Sequence, residues 1–328
     1  MSCFSTARRW MLHTANRRII LAFCGLLTYV LLFLSPSRYA WIKAETKIPH
    51  SATTPTEAYV TFLSSIEDPG YQTAVELLLF QLKQDPLTRD SDPLQRDFVV
   101  LTTNRVPPFV EEKLRLGGAT IERQRMIKGL PTPAHVAEQE NHPYHDQYTK
   151  LHVFNMTKYK RLLYLDSDQL LLKPMEGIWD DPNSWPQSGL AGCSDSGQGS
   201  DHPVPIPDSD FLNAGLLMII PSTERFETLL QEKDFDFGLQ EQSLLNQFYR
   251  RDGNFPWMPL NHKYTSTWPS HRDIEGGIHA IHEKLWQNEN RMRGAVDREL
   301  TEVWNQKMGR MEGFELAREK EKAQPGKP

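Results

Sequence analysis

The sequence predicts one large α/β domain with a mostly parallel central sheet, preceded by a transmembrane helix. From Ala58 onward, short apolar runs of strand type alternate with amphipathic runs of helix type. Such strand runs here end in polar clusters, and open α/β sheets hold their ligands beyond the carboxyl ends of their strands. With 328 residues, 39% of them hydrophobic, the chain can bury one sizeable core and still carry appendages.

Residues 1–18 include Arg8, Arg9, Arg17 and Arg18 and no acid, and read as a cytosolic tail. Ile19 to Leu34 is uncharged and almost wholly apolar until Ser35-Pro36 stops it. At about 1.5 Å per residue it reaches about 24 Å, short for an average bilayer and near the thinner early secretory membrane. We read 19–34 as an uncleaved signal anchor, because the run exceeds a signal-peptide core and no clean small-residue cleavage site follows. A cleaved signal peptide is the rival. Arg38, Lys43 and Lys47 follow the span closely and weaken the positive-inside asymmetry, so orientation leans on function. Residues 35–55, rich in Pro, Ser and Thr, read as a stem, 56–290 as the folded body and 291–328 as a charged tail.

A net charge of −5 and a pI near 6.1 argue against a nucleic-acid partner. Cys193 is the one cysteine expected in the body, so the core rather than a disulfide must hold it. Asn155-Met156-Thr157 is a glycosylation sequon that a lumenal body could use.

Ala58 to Leu63 predicts the first strand and Tyr71 to Gln84, with apolar recurrence and strong helix formers, the first helix. Phe98 to Leu101 is a second strand, Glu111 to Leu116 a helix stopped by Gly117-Gly118, and Thr120-Ile121 part of a third strand. The polar stretch from Pro131 to Lys150 carries His135, His142 and His145 without zinc-site spacing and reads as a loop. Leu151 to Tyr159 predicts a helix feeding the strand that ends in Asp166. Asp180 to Asp210 reads as loop, Phe211 to Ser222 as an apolar strand, Glu241 to Tyr249 as a helix, and Glu315 to Lys322 as a solvated helix or frayed tail.

The chemistry centres on Arg161 to Pro174, RLLYLDSDQLLLKP, where Asp166-Ser167-Asp168 interrupts an apolar run. Two carboxylates in such surroundings are costly to bury unless something neutralises them. In an extended segment residues two apart share a side, so Asp166 and Asp168 would converge on one divalent cation; hard oxygens suit Mg²⁺ or Mn²⁺ better than zinc. A lone D-x-D is more often a polar turn than a metal site.

The wider pattern reverses those odds. Thr149-Lys150-Leu151-His152 stands upstream of Leu165-Asp166-Ser167-Asp168, and Asn213-Ala214-Gly215 with Pro221-Ser222 and Gln240 to Asn246 follow in order. In this order the segments, over about 58–286, resemble the glycogenin-like retaining glycosyltransferases of family 8. The resemblance implies a single GT-A-type, Rossmann-like nucleotide-sugar-binding domain over 56–290. It implies that Asp166 and Asp168 hold Mn²⁺ (Mg²⁺ the alternative) against the diphosphate of a UDP-sugar, with Ser167 between them. A late-strand histidine completes the metal site, His282 by its place before Lys284 and Trp286, with His279 as the alternative. Leu285 stands where the family has proline. On the same resemblance Thr61, Leu63 and Tyr71 would fall around the uracil and ribose, and Lys150 would contact the donor. Lys284 would meet the diphosphate as charge builds, while Asn213 and Gln242 would bond the sugar and line its β-side. Glu241 replaces the family's aspartate.

On this resemblance we expect retention of the donor's α-configuration and transfer to a glycan acceptor on a glycoprotein or glycolipid. An anchored lumenal layout argues for glycan elongation, and its resemblance to the fungal-type N-acetylglucosaminyltransferases of the family implies UDP-GlcNAc as the first donor, with UDP-glucose or UDP-galactose the alternatives. That layout is single-pass type II in the Golgi or ER membrane. A non-catalytic lumenal scaffold with this fold, or an aspartate-nucleophile phosphatase, are the other classes; the latter wants Thr where Leu170 stands.

Overall fold

The computed structural model describes residues 56–92, 95–138, 146–197, 199–287, 289–290 and 294–323. The tail, span and stem expected over 1–55, with His142 and His145, lie outside these. Among the described residues no helix is long and apolar enough to cross a membrane.

The chain opens with β1 (Glu57–Ser65), α1 (Pro69–Lys83), β2 (Asp97–Arg105), α2 (Pro108–Leu116) and β3 (Thr120–Arg123). The short α3 (Ala134–Ala137) and a 3-10 segment, Gln147–Asn155, lead to β4 (Arg161–Leu165) and β5 (Gln169–Leu171). Then come β6 (Leu190–Ser194), β7 (Leu212–Ile219), α4 (Thr223–Gln231), α5 (Glu241–Phe248), β8 (Met258–Pro259) and β9 (Ser266–Thr267). The last elements are α6 (His271–Glu275), β10 (Ala280–His282), the pair β11 (Glu289–Asn290) and β12 (Gly294–Ala295), and α7 (Arg298–Ala323). Seven strands form the main sheet in the order β3-β2-β1-β4-β7-β6-β8. The pairs β3–β2, β2–β1, β1–β4 and β6–β8 are parallel, and β7 alone runs against both its neighbours.

Both faces of the sheet are covered, which is why β4 reads as an unbroken apolar run. Leu162 and Tyr164 enter one core cluster with Val60, Phe154 and Leu217; Leu163 and Leu165 enter the other with Tyr59, Leu78 and Met218. α1 starts at Pro69, two residues before the expected Tyr71, because Asp68 accepts a hydrogen bond from the Gly70 amide (2.9 Å) and Pro69 occupies the first turn.

At the amino-terminal end of the sheet a buried polar net ties four segments together. Glu57 takes Arg161 and Arg96 (Nε distances 3.0 and 2.9 Å), and Arg96 reaches Asp90 at 3.0 Å. Tyr59 donates to Asp90 (2.6 Å), and Trp179 lies under both guanidiniums at 4.5 and 5.0 Å.

Three expectations are corrected. β6 lies inside the stretch read as loop, its apolar signal diluted by Gly192 and Ser194. Gly192 is there for close strand packing: a Cβ would meet Leu212 at 2.6 Å and the Leu216 carbonyl at 3.1 Å. The helix expected over Leu151 to Tyr159 is the 3-10 segment, which ends at Asn155 and leaves that sequon residue exposed. The charged tail begins as a packed helix. In α7, Leu300, Trp304 and Met311 are buried against Ala74, Leu77, Phe80 and Leu285, while 315–322 is exposed as expected.

Candidate active site

Asp166-Ser167-Asp168 lies in the turn between β4 and β5, at the carboxyl end of the central parallel strands. The expected extended geometry is not what brings the acids together. The turn closes through the Gln169 amide on the Asp166 carbonyl (3.1 Å), and the Asp166 amide is pinned to the Gly215 carbonyl (2.9 Å). A second, three-stranded sheet, β5-β10-β9, brings in the histidine, with His282 in register with Gln169 and Thr267.

Asp166, Asp168 and His282 offer one ligand atom each, all within 4.8 Å of one another. His282 Nε2 stands 3.0 Å from Asp168 and 3.7 Å from Asp166. Burial opposes charge on His282, but Asp168 and then Asp166 outweigh it and raise its pKa. Burial likewise opposes the Asp168 carboxylate, but His282 and Lys284 hold it well below the usual range. His279, the alternative ligand, is not part of this cluster; its Nδ1 lies 2.8 Å from the Pro174 carbonyl.

Asn213 connects this cluster to its surroundings. Its Oδ1 accepts from the Gly215 amide (2.9 Å) and lies 3.3 Å from His282 Nδ1, an arrangement that leaves Nε2 for a metal. Its amide group donates to Asp195 (2.8 Å) and to Gln242 Oε1 (3.4 Å); Gln242 Oε1 also accepts from the Ala214 amide (2.9 Å). Asn213 and Gln242 are therefore engaged with protein groups rather than presented bare to a sugar.

Lys150 is buried, with Nζ 2.7 Å from Glu241 and 3.3 Å from Asp166. Burial opposes its charge, yet the two carboxylates raise its pKa. It acts here as a fixed countercharge beneath Asp166, which also accepts from the Tyr164 hydroxyl at 2.6 Å. Lys284 sits with its ammonium 5.7 Å from the Tyr71 ring centroid. Ser167 is buried in the turn. The side chains of Thr61 and Leu63 are not at the opening. Thr61 is fully covered with its hydroxyl lacking a hydrogen-bond partner, and Leu63 packs into the core with Val75 and Leu78. Strand alternation puts both on the side of the sheet covered by α1, which overrides their place near the end of β1.

Sequence reasoning missed Asp195. It follows β6 and accepts from Asn213, Gln242 (3.5 Å), Thr267 (3.3 Å) and the Gly197 amide (3.0 Å). Its signal was a single acid after Leu190 to Ser194, among several acids in a Gly- and Ser-rich stretch. Ser194 beside it donates its amide to His262 Nε2 (3.0 Å), which requires that nitrogen to be unprotonated. Burial lowers the His262 pKa, and that of His152 likewise. A histidine with a depressed pKa opposes folding once protonated, so stability falls as pH drops below about 6.5, by at most about 1.4 kcal/mol per pH unit for each proton. In thermal melts between pH 7 and 5.5 we expect His262→Gln, whose side-chain oxygen can still accept from Ser194, to lose less stability than the wild type.

No protein-family model matches the chain. An uncharacterized protein of Schizosaccharomyces pombe is 28% identical over 298 residues, covering 77% of each chain. A glycogenin of Neurospora crassa is 20% identical over 213 residues, which are 60% of this chain and 28% of that protein. Among solved structures, the galactosyltransferase LgtC with donor and acceptor sugar analogs gives a TM-score of 0.46 at 17% identity, over 77% of this chain and 95% of that one. Together with the motif order already described, the sequence similarity to glycogenins and galactinol synthases supports a glycogenin-like glycosyltransferase.

Proposed function

We propose that the protein is a retaining, Mn²⁺-dependent glycosyltransferase that moves a sugar from a UDP-sugar to a glycan acceptor of the secretory pathway. The observation that carries the reading is the convergence of Asp166, Asp168 and His282 beside Lys284. Two hard carboxylate oxygens and one borderline imidazole nitrogen, its tautomer set by Asn213, fit Mn²⁺, with Mg²⁺ the alternative. A cation held by these three residues would supply positive charge against the donor's pyrophosphate.

The remaining work falls to the chain's own groups. Lys284 offers its ammonium to the leaving diphosphate, where negative charge develops during transfer. Lys150 fixes the Asp166 carboxylate and neutralises Glu241, so that carboxylate is a poor nucleophile. This favours a short-lived ion pair over an adduct on Glu241. Asp195, Asn213 and Gln242 form one hydrogen-bonded wall whose orientation is set before the sugar arrives. UDP-GlcNAc is the favoured donor and UDP-glucose or UDP-galactose the alternatives, with a glycan on a glycoprotein or glycolipid as acceptor. The proposed setting is the Golgi or ER lumen, behind the span read at 19–34.

Thermal melts with UDP and Mn²⁺ test the reading. UDP at a hundredfold excess over its Kd should stabilise the protein by about 2.7 kcal/mol with Mn²⁺ present and by much less without it. A protein indifferent to the combination is a scaffold, not a transferase. Donor hydrolysis across a panel of UDP-sugars then identifies the sugar.

A further inference from the structure

We propose that helix α7 is a working part of the donor site, with Trp304 acting through Trp286 as the positioning residue for Tyr71 and Lys284. This rests on the reading that a uridine diphosphate group sits beside Lys284.

The contacts form one continuous line. Trp304, buried on α7, has its ring 5.9 Å from that of Trp286. Trp286 meets Tyr71 edge-on at 5.0 Å, and Lys284 places its ammonium 5.7 Å from the Tyr71 ring. The Trp286 indole N–H donates to Asp68 (3.3 Å), as does the Gln287 amide (3.4 Å), while the other Asp68 oxygen caps α1. Trp286 lies so close on the first turn of α1 that only glycine fits at position 70: a Cβ there would stand 2.1 Å from the indole ring.

A lysine on a four-carbon stem has many rotamers, and its usefulness to a developing charge depends on being held. Tyr71 is the surface against which Lys284 is held, and Tyr71 is itself braced by Trp286. Trp286 packs close against Gly70 and beside Trp304. Lys284 stands two residues after His282, so the line from α7 ends beside the cluster of Asp166, Asp168 and His282. Asp85 fixes α7 in place through Arg310. Nothing in this line requires α7 to touch the donor.

The experiment compares Trp304→Ala, Trp304→Phe, Gly70→Ala and Met311→Ala. Met311 is buried on the same helix about two turns further along, so its truncation loosens α7 without removing the brace. Affinity for UDP is measured by calorimetry at saturating Mn²⁺, affinity for Mn²⁺ alone is measured separately, and melting temperatures are recorded for all. We expect Trp304→Ala and Gly70→Ala to weaken UDP at least tenfold with Mn²⁺ affinity within about twofold of wild type. Trp304→Phe should recover most of the loss, and Met311→Ala should match the drop in melting temperature while binding UDP as the wild type does. UDP affinity unchanged in Trp304→Ala, or lost equally in Met311→Ala, overturns the proposal with the donor reading intact. A wild-type protein that does not bind UDP with Mn²⁺ overturns both.

Discussion

Asp168→Ala should reduce transfer and donor hydrolysis by at least about a thousandfold and remove the Mn²⁺-dependent stabilisation by UDP, on the scale of losing a principal charge-stabilising group. The loss is expected to be chemical rather than structural. The Asp168 carbonyl accepts from the Glu283 amide (3.1 Å), and Gln169 pairs with His282 in the β5–β10 ladder, so the backbone is held by bonds that the substitution leaves alone. What disappears is the carboxylate 3.0 Å from His282 Nε2. Asp168→Asn keeps the shape and removes the charge, and should fail nearly as badly. If the purified alanine variant turned over donor at the wild-type rate, the metal assignment would be wrong.

Much of this site was legible because its signals are local. Asp166, Asp168 and Asn213 sit at strand ends in recognisable short motifs, and His282 precedes Lys284 and Trp286. What escaped was set by contacts distant in sequence. The pairing of Lys150 with Glu241 depends on where α5 packs, which no local pattern reports. Asp195 owes its role to β6, a strand whose glycine exists for the approach of β7 and which therefore looked like loop. Thr61 and Leu63 were placed by their position along β1, whereas the side of the sheet they face decides what they touch. In α7 the helical spacing of Leu300, Trp304 and Met311 was present but outnumbered by charges, since a helix lying on a domain surface needs only one narrow apolar stripe.

The second large effect belongs to stability at the other end of the sheet. Glu57 has one carboxylate oxygen on Arg161 and the other on Arg96, and the two arginine side chains are 6% and 8% exposed. Glu57→Ala leaves both guanidiniums buried with less compensation. Asp90 still reaches Arg96, but among the described contacts Arg161 keeps only neutral partners, Ser184 and the Trp179 carbonyl. Removing one partner from a buried ion pair costs about 3–5 kcal/mol, and the partial exposure of Glu57 points to the lower end. At about 2–4 °C per kcal/mol for a domain of this size, the melting temperature should fall by roughly 6–12 °C. Glu57→Gln retains acceptors on one side only and should fall between. Because Glu57 opens β1 and the Asp166–Asp168–His282 cluster lies past the opposite end of β4, UDP and Mn²⁺ affinities measured well below the melting temperature should match the wild type. A melting temperature within about 2 °C of wild type would mean that water satisfies the arginines once the carboxylate is gone, and the net would then contribute register between β1 and β4 rather than stability.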